Sequence, residues 1–245
     1  MKYIVSDIHG MKNMLKEVIE KINFNKDDDL YILGDVIDRG DDGIDILKWC
    51  CYHHLKNNNV HLILGDHECM MLNAIGCPVD NNDPTLKNED LFDLWYHNGG
   101  RVTHDTWKRL DPKEQNILIN YLKSCSFGET LEIAGMKYYL AHACHPEIVK
   151  RFIDDKSQIL HYAVWSRNLG AIDDALNENE CAIFGHTMVE YIYPKVKDGI
   201  IKVDNLIAID CGCAAAANGL SYGRLGCLTI NDNGELGKVY SSRND

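Results

Sequence analysis

No stretch of this chain approaches the roughly 18 uninterrupted apolar residues that a bilayer crossing needs, so no membrane partner is expected. The amino terminus offers only Tyr3-Ile4-Val5 before Asp7, too short for the apolar region of a secretory signal. The expected location is cytoplasmic. Basic residues are scarce: 25 Lys and Arg stand against 37 Asp and Glu, a formal net charge of −12. Contact with a phosphate backbone draws on a surplus of Lys and Arg, so nucleic acid is not expected as the main partner. An anionic substrate must instead be attracted locally, by bound cations or a few arginines. Zinc-knuckle spacing is missing too, because Cys50-Cys51 and Cys211-Gly212-Cys213 stand too close together. Without an export signal, the ten cysteines read as mostly reduced core thiols. Cys69 and Cys144, each just behind a candidate site residue, are the two positions suited to sensing oxidation. There is no internal repeat and no low-complexity tract. A chain of 245 residues with 45% apolar content suits one packed domain spanning 1–245.

What the chain does have is three acidic, histidine-bearing loops near its start: Ser6-Asp7-Ile8-His9-Gly10, Gly34-Asp35-Val36-Ile37-Asp38-Arg39-Gly40 and Gly65-Asp66-His67-Glu68. Each follows a short apolar run: Tyr3-Ile4-Val5, Leu30-Tyr31-Ile32-Leu33 or Val60-His61-Leu62-Ile63-Leu64. Such runs read as buried parallel strands, which places all three loops at carboxyl ends of neighbouring strands. Open α/β sheets bind ligands there. Carboxylate oxygens and imidazoles gathered at that edge, with glycines clearing space, suit a pair of divalent cations.

Between the first two loops, Met14, Leu15, Val18, Ile19 and Ile22 share one helical face. Ile44, Ile46, Leu47 and Cys51 mark a second crossover helix from Gly43 to Cys51. From Pro78 the composition turns to a connector and then to a charged, aromatic, helical pattern, read as an insertion over about 78–129. Its stripes are Leu91, Phe92, Leu94 and Trp95, then Ile117, Leu118, Tyr121 and Leu122. Strands return at Tyr138–Ala141, Ala182–Phe184, Ile200–Val203, Ile207–Ile209 and Gly226–Ile230. Turns at Lys197-Asp198-Gly199 and Asn231-Asp232-Asn233-Gly234 suggest hairpins, and hence a more antiparallel second sheet.

These loops, with Leu140-Ala141-His142-Ala143 and Phe184-Gly185-His186-Thr187 further on, resemble the dinuclear (calcineurin-like) metallophosphoesterases. The similarity is greatest to the serine/threonine phosphoprotein phosphatase branch of phage and bacterial type, and it runs through most of the chain. It implies an α/β fold, a four-layer αββα sandwich of two mixed sheets with a helical insertion. It also implies two divalent cations, one on Asp7, His9 and Asp35 and the other on Asp35, Asp66, His142 and His186, with Asp35 bridging. Manganese is the expected metal, with iron or zinc as alternatives. In the implied reaction a hydroxide shared by the cations attacks phosphorus directly, with no phosphoenzyme. His67, oriented by Asp38, protonates the leaving oxygen, and Arg39 and Arg167 grip phosphate oxygens as forks.

The implied activity is hydrolysis of phosphoserine or phosphothreonine, with phosphotyrosine also admissible, on a protein or peptide partner. The rival is a dinucleoside polyphosphate hydrolase. That branch typically carries aspartate where this chain has Glu68, which tilts the reading towards phosphoprotein. His145 competes with His142 and is assigned to a supporting or surface position, while Tyr96, Asn98-Gly99-Gly100 and Trp107 are candidates for the cleft wall. One departure matters electrostatically: the family pattern has asparagine where this chain has Asp66. A third carboxylate lowers the net charge of the centre, which favours tighter cation binding, a more alkaline pH optimum, and manganese over zinc.

Overall fold

The computed structural model describes residues 1–196, 199–218 and 223–242. The first half contains β1 (Lys2–Val5), α1 (Lys12–Lys21), β2 (Asp29–Leu33), α2 (Gly43–Asn57), β3 (Val60–Ile63), α3 (Asp66–Ala74), α4 (Leu91–His97), α5 (Arg101–Trp107) and α6 (Pro112–Ser124). The second contains β4 (Glu129–Ile133), β5 (Met136–Ala141), α7 (Pro146–Val149), α8 (Lys156–Trp165), α9 (Leu169–Asp174), β6 (Glu180–Phe184), α10 (Val189–Ile192), β7 (Ile201–Val203), β8 (Leu206–Ala208), β9 (Gly226–Ile230) and β10 (Leu236–Tyr240). Among the described residues, no helix is long and apolar enough to cross a membrane.

Side-chain alternation along the strands builds the layers. Tyr3 and Val5 point to one side of β1 and join Leu30, Ile32, Val60 and Leu62 in a core covered by α1 and α2. Ile4, Tyr31, Leu33 and Ile63 point the other way and meet Tyr138, Leu140, Cys181, Ile183 and Ile207 of the second sheet. On the far side, Tyr139, Ala182, Phe184 and Ala208 pack against Ile148, Val149 and Ile172 of the outer helices. The result is helix, sheet, sheet, helix. Because each central strand is buried on both faces, each reads as a continuous apolar run.

The sheets run β10-β9-β1-β2-β3 and β4-β5-β6-β8-β7. β1, β2 and β3 are parallel, so the first three loops do emerge side by side. The second sheet differs from the more antiparallel expectation: β5-β6 and β6-β8 are parallel, and only the outer pairs β4-β5 and β7-β8 are antiparallel. β9 does not belong to that sheet, pairing antiparallel with β1 in the first one. Both differences concern long-range pairing, to which local alternation is blind. The Asn231–Gly234 turn is the β9–β10 hairpin. Lys197 and Asp198 of the other proposed turn lie outside the described residues; the β7–β8 hairpin turns instead at Asp204-Asn205.

The second sheet is tied to its outer helices by one ionic knot. Arg151 donates to Glu180 Oε2 (2.6 Å) and Oε1 (2.7 Å), to Tyr139 Oη (2.7 Å) and to the Ala175 carbonyl (2.6 Å). Those hydrogen bonds hold the Glu180 carboxyl down to about 2, against the opposing effect of burial. A carboxylate with a depressed folded-state pKa contributes stability that is present above its ordinary value of 4.5 and is lost as pH falls towards 2. Arg151→Ala should therefore lower unfolding free energy by about 2 kcal/mol at pH 7 and by much less near pH 2. Urea titrations at the two pH values check this, and equal losses at both would exclude the ionic account.

Candidate metal centre

The six candidate ligands converge at the carboxyl ends of β1, β2, β3, β5 and β6. Asp7, His9, Asp35, Asp66 and His142 are buried, and the His186 side chain is only 4% exposed. Their donor atoms form overlapping groups: Asp7, Asp35 and His142; Asp66, His142 and His186; and His9, Asp35 and His67, the atoms of each group lying within 4.8 Å of one another. Asp35 belongs to two of these groups. Its Oδ2 is 3.4 Å from His9 Nε2, and its Oδ1 is 3.7 Å from His142 Nε2. The two oxygens thus address two sides, as a bridging carboxylate requires.

The histidines are oriented for ligation. His9 Nδ1 donates to the Ile37 carbonyl (3.0 Å), His142 Nδ1 to the Leu33 carbonyl (2.8 Å), and His186 Nε2 to the Trp165 carbonyl (3.3 Å). Each imidazole spends one nitrogen on a backbone oxygen and turns the other inward, which is the supporting arrangement of metal-bound histidines. Burial, Arg39 and His67 hold His9 well below its ordinary pKa, so its inward nitrogen keeps a lone pair. Burial and repulsion from Asp66 and Asp7 push Asp35 well above the usual carboxylate range. Bound cations relieve that kind of crowding, so this donor set of oxygens and imidazole nitrogens fits two divalent ions.

Backbone strain is concentrated in the same place. Among the described residues, ten non-glycine residues have positive φ, and six are Asp7, His9, Asp35, Asp38, Arg39 and His186. Left-handed backbone costs on the order of 1–3 kcal/mol at such residues and persists only where the surroundings enforce it. Part of that enforcement comes from Glu68, fully buried, whose carboxylate accepts from the Asp35, Val36 and Gly65 amides (2.8, 2.9 and 3.1 Å) and fixes the second loop to the third. Glu68 is thus a buried scaffold residue, tying the second loop to the third. Two glycines permit the close approach: a Cβ on Gly65 would collide with Asp35 Oδ1, and one on Gly185 with Asp7 Oδ2.

At the edge of the cluster, His67 Nδ1 donates to Asp38 Oδ2 (2.7 Å). Burial works against a charge on His67, but Asp35, Asp66 and Asp38 raise its pKa to about 9. Asp38 Oδ2 also accepts from Trp95 Nε1 (2.8 Å), and the Asp38 amide donates to Thr103 Oγ1 (2.9 Å). The helical segment therefore supplies two groups that hold Asp38. Trp95 reads in the sequence simply as part of an apolar stripe, and it is indeed fully buried; its polar contact has no local sign. Arg39 reaches His9 Nε2 (2.8 Å) and His67 Nε2 (3.1 Å), while Arg167, also exposed, donates to Thr187 Oγ1 (2.8 Å) beside His186. The two arginines flank the cluster from opposite ends.

Other expectations are corrected. His145 is a buried N-cap of α7, its Nδ1 accepting from the Glu147 amide (3.2 Å), and is not at the surface. Cys69 and Cys144 are buried; burial pushes the Cys69 thiol well up and Cys144 to about 12, which suits inert core thiols and not oxidation sensors. Trp107 packs in the core, whereas Gly99 lines the cleft beside Arg39. Asp210 was not among the expected site residues, yet it lies buried with its carboxyl pushed up to about 8 by burial and by Asp7. Its signal was available: Ile207-Ala208-Ile209-Asp210-Cys211-Gly212 repeats the pattern of apolar run, aspartate and glycine.

Comparison with known proteins agrees with this geometry. A calcineurin-like phosphoesterase family model matches residues 3–190. The chain is 30% identical to serine/threonine-protein phosphatase 2 of Salmonella typhimurium over 223 residues, 88% of this chain and 89% of that protein. It is 32% identical to a symmetrical bis(5'-nucleosyl)-tetraphosphatase of Neisseria gonorrhoeae over 113 residues, 45% of this chain but only 37% of that protein. Among solved structures, a serine/threonine phosphatase from Saccharomyces cerevisiae superposes with a TM-score of 0.64 at 14% identity, covering 98% of this chain and 79% of that one. A metallophosphoesterase from Sphaerobacter thermophilus gives 0.53 at 13% identity, covering 100% and 88%. Taken with the sandwich and its cluster of carboxylates and imidazoles, the match along most of its length shows that this chain belongs to the calcineurin-like phosphoesterase family.

Proposed function

We propose that the protein is a metal-dependent phosphoprotein phosphatase acting on phosphoserine and phosphothreonine monoesters. The observation that carries this reading is the buried His67–Asp38 pair, 2.7 Å apart at the rim of the cluster, because an alkyl leaving oxygen needs a proton far more than an aryl or phosphate leaving group does. Similarity to a protein phosphatase along both chains supports it.

In this reading Asp7, His9 and Asp35 would hold one cation, and Asp35, Asp66, His142 and His186 would hold the other. When bound, the pair supplies Lewis acidity at the phosphoryl oxygens and acidifies a water at neutral pH. Arg39 and Arg167 clamp the remaining phosphoryl oxygens from the two ends of the site, fixing the ester for in-line attack. His67 delivers its Nε2 proton to the departing oxygen. Asp38 keeps the ring's other nitrogen protonated and aimed, and Trp95 keeps Asp38 in place. Manganese is the metal we assign, since Asp66 supplies an anionic oxygen where the family pattern has a neutral amide oxygen. The cytoplasm is the compartment we assign.

Asp66 Oδ1 lies 2.9 Å from His142 Nε2 and 3.2 Å from His186 Nδ1. Asp66→Asn should therefore weaken retention of the second cation by roughly tenfold or more and displace the pH–rate profile towards acid. Unchanged metal titration and an unchanged profile would remove the charge argument.

A second reading is favoured by one observation, the local similarity to tetraphosphatases: hydrolysis of dinucleoside tetraphosphates at the same centre. Chelated protein reloaded with manganese, zinc or iron and assayed on phosphoserine peptide, phosphotyrosine peptide and diadenosine tetraphosphate separates the two. Faster turnover of the phosphoserine peptide is expected, and preference for the nucleotide would reverse the ranking.

A further inference from the structure

Beside the metal centre, an open cleft of about 650 Å³ is lined by Arg39, Gly99, Arg101 and Arg109, with Asp41 and Asp105 on its wall. Three arginines in one cleft are unexpected in a chain whose net charge is −12. Arg39 is the link to the centre, since its guanidinium touches His9 and His67. The other two come from the helical segment that covers this end of the sheet. The Arg101 guanidinium lies 4.4 Å from the centroid of the Tyr96 ring, and Arg109 Nη2 donates to Thr106 Oγ1 (3.0 Å). Neither is within ion-pair distance of a carboxylate among the described residues; Asp105, the nearest candidate by sequence, is engaged by Lys108 at 2.8 Å. Arg101 and Arg109 are thus positioned cations without a direct ion pair, although the Arg101 charge also reaches Asp105.

We propose that this cleft is a second anion subsite, which takes a negatively charged group carried on the same substrate next to the scissile phosphoryl group. The chemistry is that of a carboxylate or phosphate meeting guanidinium forks. An acidic side chain flanking the phosphorylated residue is one source of that anion, and a distal phosphate of a polyphosphate is the other. The inference rests on the phosphoesterase reading of the adjoining centre. The subsite selects among substrates and leaves the chemical step alone: it acts on KM, with little effect on kcat.

The test uses the full-length, metal-loaded protein and the Arg101→Gln/Arg109→Gln double variant, both residues being exposed. Each is titrated with a phosphonate analogue of a phosphoserine peptide flanked by aspartates, with the same peptide flanked by alanines, and with a methylene-bridged analogue of diadenosine tetraphosphate. Wild type should bind the aspartate-flanked peptide roughly fivefold to tenfold more tightly than the alanine-flanked one, as expected of two exposed ion pairs. The variant should bind the two peptides alike, the difference in wild type should shrink with added salt, and Arg101→Lys/Arg109→Lys should recover part of it. If only the nucleotide analogue loses affinity in the variant, the subsite stands and its anion is a distal phosphate. If no ligand depends on the two arginines, or none binds, the subsite is overturned. Turnover of phosphoserine peptide is measured in parallel. Arginine-dependent binding without turnover of any phosphate ester would overturn the reading of the reaction while sparing the subsite.

Discussion

Asp35→Asn protein is expected to fold normally, to lose both cations and to turn over roughly 10³-fold more slowly or worse. Asparagine preserves the shape of the side chain and tolerates the left-handed backbone at this position, where φ is 56°. The Glu68 bond to the Asp35 amide does not involve the side chain and persists. What disappears is the negative charge whose two oxygens face His9 on one side and His142 on the other. In the metal-free protein the substitution should even be stabilising, because Asp35, Asp66 and Asp7 repel one another across a buried space. Wild type should gain thermal stability on addition of manganese, as any ligand of the folded state confers, and the variant should not. Elemental analysis and melting curves with and without metal provide the check. A variant that retains two ions and the metal-induced rise in Tm would remove Asp35 from the bridging position.

For His67→Asn the expectation is a selective loss. Turnover of a phosphoserine peptide should fall by about 10²–10⁴, the usual contribution of a positioned acid, whereas p-nitrophenyl phosphate, whose leaving oxygen needs little protonation, should lose far less. Metal content should stay at the wild-type value. This last readout matters because His67 Nε2 lies 3.8 Å from Asp35 Oδ2 and groups with His9 and Asp35 as donors. Loss of one cation on substitution would place His67 among the ligands. Equal losses on both substrates would withdraw it from the acid role.

Much of the site is legible in the sequence because its signals are local. An apolar run followed by Asp, His and Gly marks a strand end, and three such runs in succession place Asp7, His9, Asp35, Asp38, Arg39, Asp66 and His67 at neighbouring strand ends. β1, β2 and β3 follow from the same pattern, and the hairpin at Asn231–Gly234 follows from its turn residues. The supporting residues are illegible for the opposite reason. Trp95 holds Asp38 from 57 positions away, and Glu68 holds the backbone of Asp35 across 33. Neither contact changes the local pattern of its own helix.

The sequence by itself thus determined the parallel run of the first three strands and the gathering of acidic and imidazole groups at their carboxyl ends, because strand period and turn sterics are properties of a few consecutive residues, while its resemblance to a known family implied the sandwich and the places of His142 and His186. Only the tertiary structure decided that β9 joins the first sheet, that β5, β6 and β8 run parallel in the second, that Asp210 is buried within reach of the Asp7 charge, and that Arg101 and Arg109 share a cleft with Arg39. Those arrangements depend on which distant segments exclude water together, and the His186 amide meeting Asp7 Oδ2 across 179 residues is the plainest instance.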